Sequence, residues 1–145
     1  RGNALTKHLN GATALIVVNG PDGYVSPRWY ADRDQVPTWN YVAVELEGRV
    51  RRMDSDGLLA HLEAISDRHE ERIVEGDFWS MDKLPAEKLR GLLAGIVGFE
   101  MEIQAWRETL KLSQNKPAEE RARVADGLES EGSPAIAQLM RTLAP

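Results

Sequence analysis

Apolar and polar residues alternate with period two over two long stretches of the chain. In the first, Thr38 to Glu47, β-branched and aromatic residues dominate, and Pro37 stands where a strand's first residue or edge tolerates it. Alternate residues of a strand share a face, so Val42, Val44 and Leu46 point into a core and Tyr41, Ala43, Glu45 and Glu47 point the other way. Thr38 and Asn40 prolong the apolar face with hydrogen-bonding groups, and Trp39 shares the face of Tyr41. On spacing alone this is an ordinary sheet strand with a tryptophan in a core or interface. A strand that starts polar-aromatic and ends as core also fits the mouth of a pocket. In the second stretch Phe99, Met101, Ile103 and Ala105 alternate with Glu100, Glu102 and Gln104, the pattern of a half-exposed antiparallel strand running toward Leu112.

Around these strands the other elements follow. Arg1 to Gly11 reads as a loop or short helix ending at Asn10-Gly11. Ala14 to Val18 is a short buried strand, Asn19-Gly-Pro-Asp-Gly23 a turn and Tyr24 to Ser26 a second arm, so Ala14 to Ser26 reads as a hairpin. The Thr38 strand is expected to turn at Gly48 into a second strand, Arg49 to Met53. Asp54 or Ser55 caps a helix with Leu58, Leu62, Ile65 and His69 on one face and Glu63, Asp67, Glu70 and Glu71 opposite, an amphipathic helix lying on a sheet, with His69 half-buried. Pro85 opens a helix carrying Leu89, Leu92, Leu93 and Ile96, which stops at Gly95 and Gly98. Pro117, followed by Glu119 and Glu120, opens a third, running to about Leu128. Ser133-Pro134 caps a last one through Met140. Strands, a helical pair, a returning strand and closing helices make an α+β antiparallel arrangement.

Composition narrows the classes. The 145 residues, 42% hydrophobic and 28% charged, suit one soluble globular domain. No run is long enough to span a bilayer and no basic-then-apolar leader opens the chain, so no membrane partner is expected. With no Cys, thiolate chemistry and disulfides are excluded, which fits a reducing, cytoplasmic compartment. The first residue is Arg rather than Met, which reads as a fragment. A formal net charge of -5 counts against generic nucleic-acid binding. Arg49, Arg51 and Arg52 read as a solvated strand face.

Candidate chemistry is thin for catalysis. His8, His61 and His69 have no zinc-motif spacing, so no metal site is expected. Ser26 and Ser113 lack a histidine-acid partner and a Gly-x-Ser-x-Gly elbow, and no Gly-rich phosphate loop is present. Three polar-aromatic clusters remain: Tyr24 to Tyr30, Pro37 to Tyr41 and Lys111 to Asn115. Each lies at a strand end. Together they offer ring faces, hydroxyls, amides and cations, the mixture a flat aromatic cofactor with a phosphate tail needs. The same clusters would also suit strand termini packed into a subunit interface, and both hold if the pocket lies at the interface.

At these clusters the sequence resembles the PaiB-type transcriptional regulators, an FMN-binding split β-barrel family related to the pyridoxamine-phosphate oxidases. The carrying motifs are Gly20-Pro-Asp-Gly-Tyr-Val-Ser-Pro-Arg-Trp-Tyr30, Val36-Pro-Thr-Trp-Asn-Tyr41, Gly98-Phe-Glu100 and Lys111-Leu-Ser-Gln-Asn115, with Asp67-Arg-His-Glu70 like the family's first-helix end. They span roughly Arg1 to Leu128. Two features depart from the pattern. The chain begins at Arg1-Gly2-Asn3, near a family Lys/Arg-x-Asn element, without the stretch that carries the barrel's opening strands. Arg28 stands where many relatives have a small residue and carries little weight as a ligand.

The resemblance implies one FMN-binding split-barrel domain over 1–145, lacking its N-terminal strands, with a C-terminal helical extension over 117–145. It implies a negative transcriptional regulator and a homodimer with FMN in the groove between subunits. By that implication Ser26, Trp29, Tyr30, Thr38, Trp39, Asn40, Lys111, Ser113, Gln114 and Asn115 bind the flavin. Lys111 would serve as phosphate or ring-edge cation, and Trp29 and Trp39 would wall the ring. DNA is the partner the family's regulatory role brings; the negative charge and the lack of a helix-turn-helix count against direct contact. A small flavin reductase or oxidase is the second reading, against which the lack of an acid-base pair counts. A dimer binding haem or another planar ligand is the third.

Overall fold

The computed structural model describes residues 2–144; Arg1 and Pro145, which bound the expected domain, lie outside the described residues. The elements are strand β1 (Thr13–Val25), strand β2 (Thr38–Arg52), helix α1 (Ser55–Glu70), helix α2 (Ala86–Ala94), strand β3 (Phe99–Lys111), helix α3 (Ala118–Ser130) and helix α4 (Pro134–Leu143). Short 3-10 turns stand at Ala4–Lys7, Pro27–Trp29 and Met81–Lys83. The strands form one open antiparallel sheet in the order β1-β2-β3. The α+β class is as expected; the sheet is not closed into a barrel.

Two expected turns are absent because the backbone runs straight through them. Asn19-Gly-Pro-Asp-Gly23 is not a hairpin turn but part of the single strand β1. β1 is an edge strand, where a proline that cannot donate is tolerated. Neither Gly20 nor Gly23 has a positive φ. Gly23 instead makes room for helices: a Cβ there would stand 2.5 Å from Leu128 Cδ2. Likewise β2 does not turn at Gly48 but continues to Arg52. A Cβ on Gly48 would fall 2.0 Å from the carbonyl oxygen of Glu102, so this glycine serves close strand approach.

The chain divides into two compact units, and all three strands pass from one to the other. The first comprises residues up to Ala14 and Gly48–Gln104. Gly11, at φ +79, redirects the chain so that Gly11 N donates to Val50 O at 2.8 Å and Ala12 O accepts from Val50 N at 2.9 Å. Asp54 Oδ1 accepts from Gly57 N at 2.7 Å and caps α1 as expected. No residue of α1 or α2 is fully buried. Leu58, Leu59 and Leu62 are half-buried, whereas Ile65 and His69 are exposed. His69, expected half-buried on the apolar face, instead stands with Arg68 in the last turn, where cations suit the helix dipole.

The second unit, Leu15–Glu47 with Ala105 onward, holds the main core. Val25, Tyr30 and Leu112 pack against Val124, Ala125, Leu128, Ile136, Ala137, Met140 and Ala144. The closing helices are thus core, not ornament. On the part of β2 in this unit the buried positions are Asn40 and Ala43, on opposite faces, while Val42, Val44 and Leu46, expected as the core face, are only half-buried. Arg141 bonds Asp126 Oδ1 at 2.8 Å and Glu129 Oε2 at 2.7 Å, holding α4 to α3. Those two carboxylates, Asp126 first, raise its pKa. Arg121 donates to Ala144 O at 2.9 Å and Lys116 O at 2.6 Å, tying both ends of the helical pair to the loop after β3.

Candidate functional site

Within this second unit the ten sequence-selected residues fall into two cavities. The alternation of β2 explains the split, since Thr38 and Asn40 point to one face and Trp39 to the other.

The first cavity, about 240 Å³, is built where the start of β2 meets the end of β3. Tyr30, Thr38, Asn40, Lys111, Ser113, Gln114 and Asn115 all line it, joined by Gln35, Val36 and Lys116. Lys111 Nζ donates to Thr38 Oγ1 at 2.6 Å. Lys116 Nζ donates to Gln35 Oε1 at 2.6 Å and lies 5.3 Å from the centroid of the Tyr30 ring, a cation–π contact. Among the described residues no carboxylate and no imidazole lines the cavity. Two ammonium groups therefore make it positive in a chain whose formal net charge is -5.

The floor is fixed by buried polar contacts. Asn40, fully buried, donates through Nδ2 to Ser113 Oγ at 3.0 Å, and Ser113 Oγ reaches Asn40 Oδ1 at 3.2 Å. The same amide stands 3.2 Å from Met140 Sδ. A buried amide without partners would cost about 1–3 kcal/mol, so these contacts hold the Ser113 loop to the core. Ser113 has φ 60, a conformation uncommon for a non-glycine residue. Gln114 spends its side chain on the backbone: its Oε1 accepts from Leu112 N at 2.8 Å and its Nε2 donates to Leu110 O at 2.6 Å. Lys111 and Asn115 are exposed, so both side chains can meet a ligand.

Ser26, Trp29 and Trp39 stand elsewhere. Ser26 Oγ accepts from Arg28 N at 3.3 Å and caps the Pro27–Trp29 turn. Trp29 lies on α3 at Gly127, and Trp39, 53% exposed, meets Tyr24 edge to face. These three line a second cavity of about 470 Å³. Within this one chain Trp29 and Trp39 therefore line a different cavity from Lys111. Gln35, Val36 and Lys116 were missed by sequence reasoning. Val36 opens a quoted motif and Lys116 directly follows another, so position next to a motif was the available signal. Met140 carried no signal beyond its apolar helical spacing. Among the described residues no group of acids and histidines could hold a metal ion, and no helix is long and apolar enough to cross a membrane.

Comparison with known proteins bears on the ligand. Residues 1–105 match the family described as "Putative FMN-binding domain". The chain is 34% identical over 125 residues to "Protease synthase and sporulation protein PAI 2" of Bacillus subtilis, covering 86% of this chain and 59% of that protein. It is 30% identical over 144 residues to an uncharacterised protein of Emericella nidulans, covering 88% and 57% respectively. With one of Aspergillus fumigatus it shares 28% over 138 residues, covering 82% and 53%. The chain thus spans little more than half the length of these curated relatives. The first cavity suits the polar part of FMN: cations for a phosphate, and a hydroxyl and amide for hydroxyls or a ring edge.

Proposed function

From the chain's membership of the FMN-binding domain family, whose cofactor is FMN, we propose that it is the flavin-binding module of a PaiB-type negative transcriptional regulator, its FMN phosphate held by Lys111 and Lys116. The observation that carries this is the convergence of Thr38, Asn40, Lys111, Ser113 and Asn115 on one positive cavity. Lys111 and Lys116 bind the dianion. Thr38, its oxygen already accepting from Lys111, keeps its own proton to donate to a phosphate oxygen or ribityl hydroxyl. Asn115 supplies an amide for a polar edge, and Tyr30 and Val36 supply apolar wall. Asn40 acts by holding Ser113 in place. FMN can accept electrons when bound; among the described lining residues the groups able to move a proton are Tyr30, Lys111 and Lys116, and in this reading the lysines are taken up by the phosphate and Tyr30 by the wall, which favours binding over catalysis.

The finer architecture belongs to the same proposal. The sheet is part of a split β-barrel, and the protein is a cytoplasmic homodimer whose second copy covers the Leu15 to Val18 stretch of β1. What supports this is the edge strand itself: Leu15, Ile16, Val17 and Val18 are 46–57% exposed in succession, a long apolar edge that soluble proteins cover. Contact with DNA is a property of the whole regulator, not of this chain alone. Titrating FMN into the protein and following the flavin absorbance tests the reading. Saturable binding that Lys111→Ala weakens about 5- to 30-fold supports it, a loss of ~1–2 kcal/mol for one solvent-exposed charge-assisted bond. Unchanged affinity in that variant removes Lys111 from the site.

A further inference from the structure

The second cavity has a chemistry of its own. Tyr24, Trp29 and Trp39 line it together with the carboxylates of Asp22 and Glu131 and the guanidinium of Arg28. Tyr24 and Trp39 stand at 73° with centroids 5.9 Å apart, so their rings form a corner. Trp29 is half-buried, with its ring against Gly127 of α3. A corner of rings does not sandwich a flat molecule. It does present ring surface to a compact, rounded group from more than one side. Ring faces are negative in their quadrupole and attract cations within about 6 Å of the centroid.

The charged groups agree with the rings. Asp22, Glu131 and Arg28 make no side-chain hydrogen bond or ion pair among the described residues, so two carboxylates and one guanidinium are available, a formal lining charge of one negative. Ser26 and Glu120, by contrast, are taken up by the turn after β1 and by Ala31 N. We propose that this cavity binds a small organic cation carrying a quaternary or polymethylated ammonium group. The methyls rest on Trp39 and Trp29, the charge faces Asp22 and Glu131, and Arg28 receives an anionic tail where the ligand has one. A methylated ammonium is bulky and weakly hydrated, so it gives up little in leaving water for a ring-lined corner. The site does not depend on the flavin reading, since its residues line no part of the first cavity.

Calorimetric titration of the full chain tests this with choline, glycine betaine and 3,3-dimethylbutan-1-ol, the last being the uncharged shape equivalent of choline. The expected result is saturable choline binding, at least about 10-fold tighter than the neutral alcohol. Trp39→Leu, at a half-exposed position where folding tolerates change, and Asp22→Asn should each weaken choline, with circular dichroism confirming the fold. Arg28→Ala should weaken betaine and leave choline unchanged or tighter, which separates a zwitterionic ligand from a simple cation. Equal binding of choline and the alcohol, or no binding of choline or betaine up to about 100 mM, overturns the proposal, because charge recognition by the rings is its substance.

Discussion

Gly127→Ala sets two well-sized effects against each other. Gly127 lies inside α3, where alanine is favoured over glycine by about 0.8–1 kcal/mol. A Cβ there, however, would stand 2.3 Å from Trp29 Cδ2 and 2.5 Å from Cε2, well inside van der Waals contact. The ring must therefore leave the helix surface. Removing roughly 100 Å² of half-buried indole from contact at ~25 cal/mol/Å² costs about 2.5 kcal/mol, within the usual overpacking range. The net expectation is destabilisation by about 1.5–2 kcal/mol, despite the better helix former. Urea unfolding followed by far-UV circular dichroism measures it. In a Trp29→Ala background the steric term vanishes, so Gly127→Ala should change sign and stabilise by about 1 kcal/mol. If Gly127→Ala stabilises the otherwise unchanged chain as well, the packing of Trp29 on α3 is refuted.

Other substitutions probe the two units separately. Asp54→Ala removes the α1 cap and should cost ~1 kcal/mol, read as earlier urea unfolding; Asp54→Ser should restore most of it. Gly48→Ala should cost more than ~3 kcal/mol or prevent folding, since the backbone carbonyl of Glu102 cannot step aside as a side chain can; soluble expression at wild-type levels would contradict it. The chain alone, at a formal net charge of -5, should give no gel shift on duplex DNA even at low salt, and a salt-sensitive shift would show that a local basic patch outweighs the total.

Much of the element order was legible because caps and periods are local signals. Asp54, Pro85, Pro117 and Ser133-Pro134 mark helix starts within a residue or two of those observed. The strand that the Phe99 alternation implied runs to Lys111, although Ile103 and Trp106 on it are exposed. Gly20, Gly23 and Gly48 misled because glycine signals either a turn or a close approach, and only the partner, Leu128 or Glu102, decides which. That partner is about a hundred residues away for Gly23 and therefore invisible in a short window. The same distance hid Met140, which meets Asn40 across the core. At the site, the residues of the three motifs line two cavities near strand ends. Facing was legible as well: alternation along β2 sets Trp39 opposite Thr38 and Asn40, and within one chain those two faces line separate cavities.

In the proposed site the flavin phosphate sits between Lys111 and Lys116. Comparing FMN with riboflavin, which lacks the phosphate, in the unaltered chain and in Lys111→Ala/Lys116→Ala tests it most directly. FMN should bind at least about 10-fold tighter than riboflavin in the unaltered chain, and the two should bind alike in the double variant. A preference for FMN that survives loss of both lysines would place the phosphate elsewhere and contradict the account.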